Sequence, residues 1–249
     1  MEKRAAEYHA HAETFAHALR KPPFHPETVH RLRTHVRRLQ AYAEFLRRPK
    51  TAARLSQSVT WLSRLRTLDV FQRYLRRRGG AARDLRRVVW ALREEEMMVA
   101  HAGRLDAIRS VLAKTPIARM HRPVEFVEAR LSALHRETAE GLAKALRGLS
   151  PEATRKELHR LRLLVKSLRY QEEIALATVW GDPRRVAAFK RLQRTLGDYC
   201  DRDQFRRLAK KMNLACRSEL KKEYRQYQKK AREAVRKLGP PEAPATGPR

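Results

Sequence analysis

Apolar residues return every three or four positions along most of this chain, the spacing that collects them on one side of an α-helix. From His30 onward, Leu32, Val36, Leu39 and Ala43 share one face at roughly 100° per residue. Leucine occurs 30 times and isoleucine three, so the long stretches without Gly or Pro read as helix. Breaks fall at Pro22–Pro26, Pro49, Gly79-Gly80, Thr115-Pro116, Arg122-Pro123, Gly148–Pro151 and Gly181–Pro183. They predict helices near 2–20, 27–47, 51–66, 68–78, 81–113, 123–147, 151–180, 183–196 and 201–238. The two longest are long enough to contain a kink or a break. Ser150-Pro151-Glu152 reads as a helix start, with a capping hydroxyl, a first-turn proline and an acid facing the helix dipole. The fold class expected is all-α, with a disordered Pro-rich tail over 239–249.

One helical stretch occurs twice. His30-Arg31-Leu32-Arg33-Thr34-His35-Val36-Arg37-Arg38-Leu39 is echoed by His159-Arg160-Leu161-Arg162-Leu163-Leu164-Val165-Lys166-Ser167-Leu168. Six of the ten positions are identical, and Lys166 answers Arg37. A weaker echo follows each copy in the same order: Leu62, Asp69 and Phe71 return as Leu196, Asp203 and Phe205. The chain therefore reads as a duplicated unit, with halves of about 1–118 and 119–238 and a seam near Thr115–Pro123. A period of about half the chain is far longer than that of a solenoid repeat, so each copy is expected to be a helical bundle in itself. Two such bundles tend to pair about a pseudo-twofold axis, which equivalent helices then face.

The repeated helix carries a second stripe. His30, Arg33 and Arg37 begin roughly 60° beyond the edge of the apolar face, and His159, Arg162, Lys166 and Arg169 do the same in the second copy. Like charges four residues apart repel in an isolated helix by a few tenths of a kcal/mol, on the order of 0.2–0.5. A solvated basic face explains one such stripe; two matched stripes favour an anion that receives them. The paired histidines are read as donors to that anion, as proton switches, as metal ligands, or as packed side chains.

Charge sharpens the picture. Fifty-seven Lys and Arg face 27 Asp and Glu, a formal charge of +30 that favours a polyanionic partner. Arginine supplies 42 of those cations, and its rigid fork grips phosphate oxygens in pairs. The longest run without charge, Leu55–Ser63, has nine residues, against about twenty for a membrane span. A secretory leader is not evident, and Cys200 and Cys216 are read as two reduced thiols in a cytoplasmic protein.

The motifs His30-x-x-Arg33-x-x-x-Arg37-Arg38-Leu39 and His159-x-x-Arg162-x-x-x-Lys166-x-x-Arg169-Tyr170 resemble the repeated signatures of the CHAD family, the conserved-histidine α-helical domain. Arg66-x-Leu68-Asp69-Val70 is similar to that family's Arg-Asp-Leu-Asp-Val segment, and Gln193-x-x-Leu196-Gly197 to its Leu-Gln-x-x-Leu-Gly segment. The resemblance spans roughly residues 5–238. Thr67 stands where the family prefers Asp and Ser63 where it prefers Gly. The resemblance implies two antiparallel bundles around a basic central channel, binding of inorganic polyphosphate, and residence at polyphosphate granules. It carries ligand-binding roles to His30, Arg33, Arg37, Arg38, His159, Arg162, Lys166 and Arg169. Arg73, Arg76, Arg77, Lys190, Arg194, Arg206 and Arg207 are secondary candidates for the channel wall.

A polyphosphate binder needs a file of cations and no aromatic platforms, whereas single-strand nucleic-acid binders stack bases on aromatics. The first stripe carries none, and Tyr170 ends the second. Sequence-independent binding of a nucleic-acid backbone is the alternative reading. An enzyme is not expected, and neither is a cofactor. Glu27-Thr28-Val29-His30 has the Glu-x-x-His step of a di-iron bundle, but Lys156 replaces the second Glu, so no metal site is expected. A glycine-rich phosphate loop is absent. The basic helix from Lys210 to Leu238 is too thinly apolar for a membrane anchor and reads as a solvated or ligand-guiding exterior.

Overall fold

The computed structural model describes residues 2–78, 82–115, 123–149, 153–176, 182–211, 213 and 216–237. Their regular structure is helical, with no strand among the described residues. The chain divides into two units, Met1–His121 and Arg122–Arg249.

In the first unit, helix α1 (Glu2–Ala18) packs on α2 (Pro26–Phe45), α2 on α3 (Pro49–Arg76) and α3 on α4 (Arg83–Val99). A wide turn at Ala100–Arg104 leads into α5 (Leu105–Ala113), which returns to α1 and α3. Helix α2 starts at His25, whose Nδ1 accepts from the Glu27 amide at 3.3 Å, with Pro26 in the first turn. Its apolar face is the one read from the sequence: Leu32, Val36, Leu39 and Ala43 are all at 0% exposure. Burying each leucine contributes about 1.5–3 kcal/mol. Polar ties fix the rest. The buried Arg93 of α4 donates from Nε to Asp69 Oδ1 of α3 at 2.5 Å and from Nη2 to the Phe24 carbonyl at 2.5 Å. Buried Glu96 pairs with Arg64 at 3.1 Å and with Arg104 at 2.6 Å.

The second unit runs α6 (Val124–Arg147), α7 (Arg155–Ala175), α8 (Pro183–Lys211) and α9 (Arg217–Arg236), each packed on the next. Leu158, Leu161, Val165 and Leu168 of α7 meet Leu192, Leu196 and Tyr199 of α8 and Ala231 and Val235 of α9 in one core. The basic helix α9 is therefore no free exterior. Beyond its few aliphatics, it is held by tyrosines: the Tyr199 and Tyr224 hydroxyls lie 3.0 Å apart, and Arg202 stacks 4.4 Å over Tyr227. Arg206 stacks 4.9 Å over Tyr224. Arg232 also donates to the Ala153 carbonyl at 3.0 Å.

The two sequence echoes land on matching burial. Leu62, Asp69 and Phe71 are buried at 1%, 3% and 0%, and Leu196, Asp203 and Phe205 at 0%, 2% and 1%.

Several boundaries differ from expectation. The helices expected at 51–66 and 68–78 are one continuous α3. Its hydroxyls bond back within the helix, Thr67 Oγ1 to the Ser63 carbonyl at 2.9 Å and Ser63 Oγ to that of Val59 at 2.7 Å, so Thr67 does not compete with the ladder. Likewise α8 runs through Gly197, beside which a Cβ would meet nothing within 4 Å. The helix expected at 201–238 is instead broken between Lys211 and Arg217, where Asn213 has φ +54°. The one expected at 81–113 opens at Gly103, whose φ of +145° other residues adopt only with strain. Helix α7 is capped by Thr154 and Glu157 in a reciprocal capping box. The helix start at Ser150-Pro151-Glu152, the Gly79-Gly80 break, residues 177–180 and the tail over 239–249 lie outside the described residues.

Candidate polyanion-binding site

The burial of Leu32, Val36 and Leu39 turns the flank of α2 that carries His30, Arg33 and Arg37 toward the polar side of α3, and all three are half-buried. Arg33 donates to Ser63 Oγ of α3 at 3.3 and 3.4 Å from its Nη2 and Nε, so the hydroxyl holds the guanidinium between the two helices. The His30 imidazole is depressed below its ordinary range, first by burial and then by the positive charges of Arg66, Arg33 and Arg73, with Glu27 opposing. The Nδ1 of His30 is buried with no hydrogen-bond partner among the described residues. The first unit thus gathers four cationic or ionisable groups from two helices, and Arg73 extends the group toward the end of α3.

Helix α7 carries the second stripe. His159 is exposed and Arg162, Lys166 and Arg169 are half-buried. Burial, and then Arg162, Arg155 and Arg207, lower the pKa of His159. The Arg162 Nε is buried without an acceptor among the described residues. Lys166 and Arg169 lie 5.4 and 4.3 Å from the Tyr170 ring, so both cations are in reach of one aromatic side chain.

The structure sorts the other sequence candidates by what they touch. Arg38, about a quarter turn round α2 from Arg37, stacks 4.8 Å over Tyr8 of α1. Arg73 and Arg76 are exposed and line a cleft of about 420 Å³ beside the start of α2. Arg77 is exposed at the end of α3. Lys190 lies 3.6 Å from Glu173, which also faces Arg169 at 3.8 Å. Arg206 and Arg207 are 3.1 and 2.6 Å from the buried Asp203 carboxylate, and Arg155 reaches its Oδ2 at 3.6 Å. Arg194 is exposed on α8.

Two further cations lie beside these groups and are absent from the sequence candidates. Arg155 continues the second stripe toward the amino terminus, four residues before His159 and seven before Arg162, a spacing visible in the sequence. Arg66 lies one heptad before Arg73 on α3 and could be found the same way. Among the described residues there is no group of three or more His, Cys, Asp or Glu able to hold a metal, and no helix is long and apolar enough to cross a membrane. Cys200 and Cys216 are free thiols.

In each unit several cations lie side by side along one helix flank, so positive charge accumulates there. Such a surface can hold phosphate oxygens by charge-assisted bonds. Comparison with curated proteins gives no match. The crystal structure of the CHAD domain from the plant Ricinus communis has the same fold at 18% sequence identity, with a TM-score of 0.69, covering 96% of this chain and 91% of that one. The family model for the CHAD domain matches residues 3–210, and the chain accordingly belongs to the CHAD domain family.

Proposed function

We propose that the protein binds inorganic polyphosphate through the basic stripes of its two units and works at polyphosphate granules in the cytoplasm. The observation that carries this reading is the recurrence of His-x-x-Arg-x-x-x-Arg/Lys beside an equivalent fully buried Leu-Val-Leu face in each unit. A polymer with a negative charge at every unit and no bases is matched by a file of guanidinium, ammonium and imidazole groups. His30, Arg33 and Arg37 serve in the first unit, and His159, Arg162, Lys166 and Arg169 in the second. Arg66, Arg73 and Arg155 extend these files. Catalysis is not part of the proposal: the role is to hold the polymer, and incubation with polyphosphate should release no phosphate.

Competition tests the reading. Long-chain polyphosphate should displace a bound duplex DNA probe at equal phosphate concentration, and equal affinity for the two polymers would favour nucleic-acid backbone binding instead. Arg33→Ala and Arg162→Ala should each weaken polyphosphate binding about tenfold, the loss expected for one charge-assisted contact of about 1.5 kcal/mol.

A further inference from the structure

The cleft at the start of α2 differs in chemistry from the stripes. Trp90 of α4 lines it with 43% of its surface exposed, and its indole is fixed by a 2.7 Å hydrogen bond from Nε1 to Glu94. Phe24 lines the cleft beside Asp69, whose side chain is at 0% exposure. Arg93 occupies Oδ1 of that carboxylate, while its Oδ2 has no donor among the described residues. Arg73 and Arg76 are exposed cations lining the same cleft. An aromatic plate and two phosphate-gripping forks around about 420 Å³ describe a different ligand from a base-free polymer.

We propose that this cleft binds a nucleoside phosphate. The base stacks on the exposed surface of Trp90, and the phosphates meet Arg73 and Arg76, while buried Asp69 holds Arg93 in the cleft wall. The inference shares Arg73 with the polyphosphate file but is tested separately from it, because it requires an aromatic contact that the polymer cannot use.

Isothermal titration of the full chain with ATP and with inorganic tripolyphosphate compares ligands with the same number of phosphates. ATP should bind about tenfold more tightly, the weight of one stacked base. Trp90→Ala should bring ATP down to the level of tripolyphosphate, and Trp90→Phe should keep most of the difference. Circular dichroism melts would show that both variants fold. A short oligoadenylate whose binding also needs Trp90 would support the site with a strand as the source of the nucleoside. Equal affinity for ATP and tripolyphosphate in a protein that still binds long-chain polyphosphate would overturn the nucleotide site alone. A preference for ATP that survives Trp90→Ala would overturn the stacking assignment.

Discussion

His30 and His159 occupy equivalent places in their helices, and in both the imidazole is held below its ordinary pKa by burial and by neighbouring guanidinium groups. A phosphate arriving beside them reverses the second cause. It favours the protonated ring, so the pKa of the complex lies above that of the free protein. Affinity should then be flat at high pH and rise as pH falls through the interval between these two values, with proton uptake on binding. Titration in buffers of different ionisation enthalpy measures that uptake, and His30→Gln with His159→Gln should abolish it. An affinity unchanged from pH 8 to pH 5 would place both rings in packing roles.

His35 gives a stability counterpart. It is wedged among Tyr8, His11 and Phe15 of α1, with ring centroids 5.8, 5.0 and 5.7 Å away, and its pKa is lowered to about 4 by burial, then by Arg38, His11 and Arg31. The unfolded chain takes up this proton near pH 6.5 and the folded chain only near 4. The stabilisation from keeping the ring neutral is therefore present above 6.5 and lost as pH falls between those values. Thermal melts at pH 7.5 and 5 should show this loss, and His35→Phe should reduce it.

At the scale of helices, the aspartates at equivalent positions of α3 and α8 serve different neighbours. Asp69 neutralises Arg93, which is 2% exposed, and Asp69→Asn would strand that guanidinium in the core at a cost of about 3–5 kcal/mol. Asp203 faces Arg155, Arg206 and Arg207, whose side chains are 45%, 34% and 51% exposed and can turn to water. Asp203→Asn should therefore cost clearly less, and urea denaturation of the two variants compares them directly.

The same pair shows what was legible beforehand. Helical period, the apolar face and the cationic stripe are local properties of α2 and α7, and all three could be read from residue spacing. The stacking of Arg38 on Tyr8 was not legible, because Tyr8 comes from a different helix and no spacing along α2 reveals it. The continuity of α3 across Thr67 rests on hydroxyls that bond back four residues, which spacing alone does not reveal. The tyrosine clasp on α9 pairs residues 25 apart in sequence, Tyr199 with Tyr224, so the helix seemed too polar to dock.

For the whole molecule, a charge of +30 makes ionic strength the controlling variable. If the two stripes contribute about six phosphate contacts, affinity for polyphosphate should fall about 10³-fold between 50 and 200 mM salt. A titration series showing salt-independent affinity would exclude the counterion-release mechanism.

Asp69, Glu96, Glu172 and Asp203 are buried, and each meets a basic side chain from another helix; Glu172, for example, lies 2.9 Å from His135 Nε2 and 3.4 Å from Arg185. The scarce acids at these positions are rivets rather than leftovers. An engineer seeking a stronger capture reagent by stripping negative charge would loosen the scaffold here before gaining grip. Added arginine on outward-facing turns avoids that conflict.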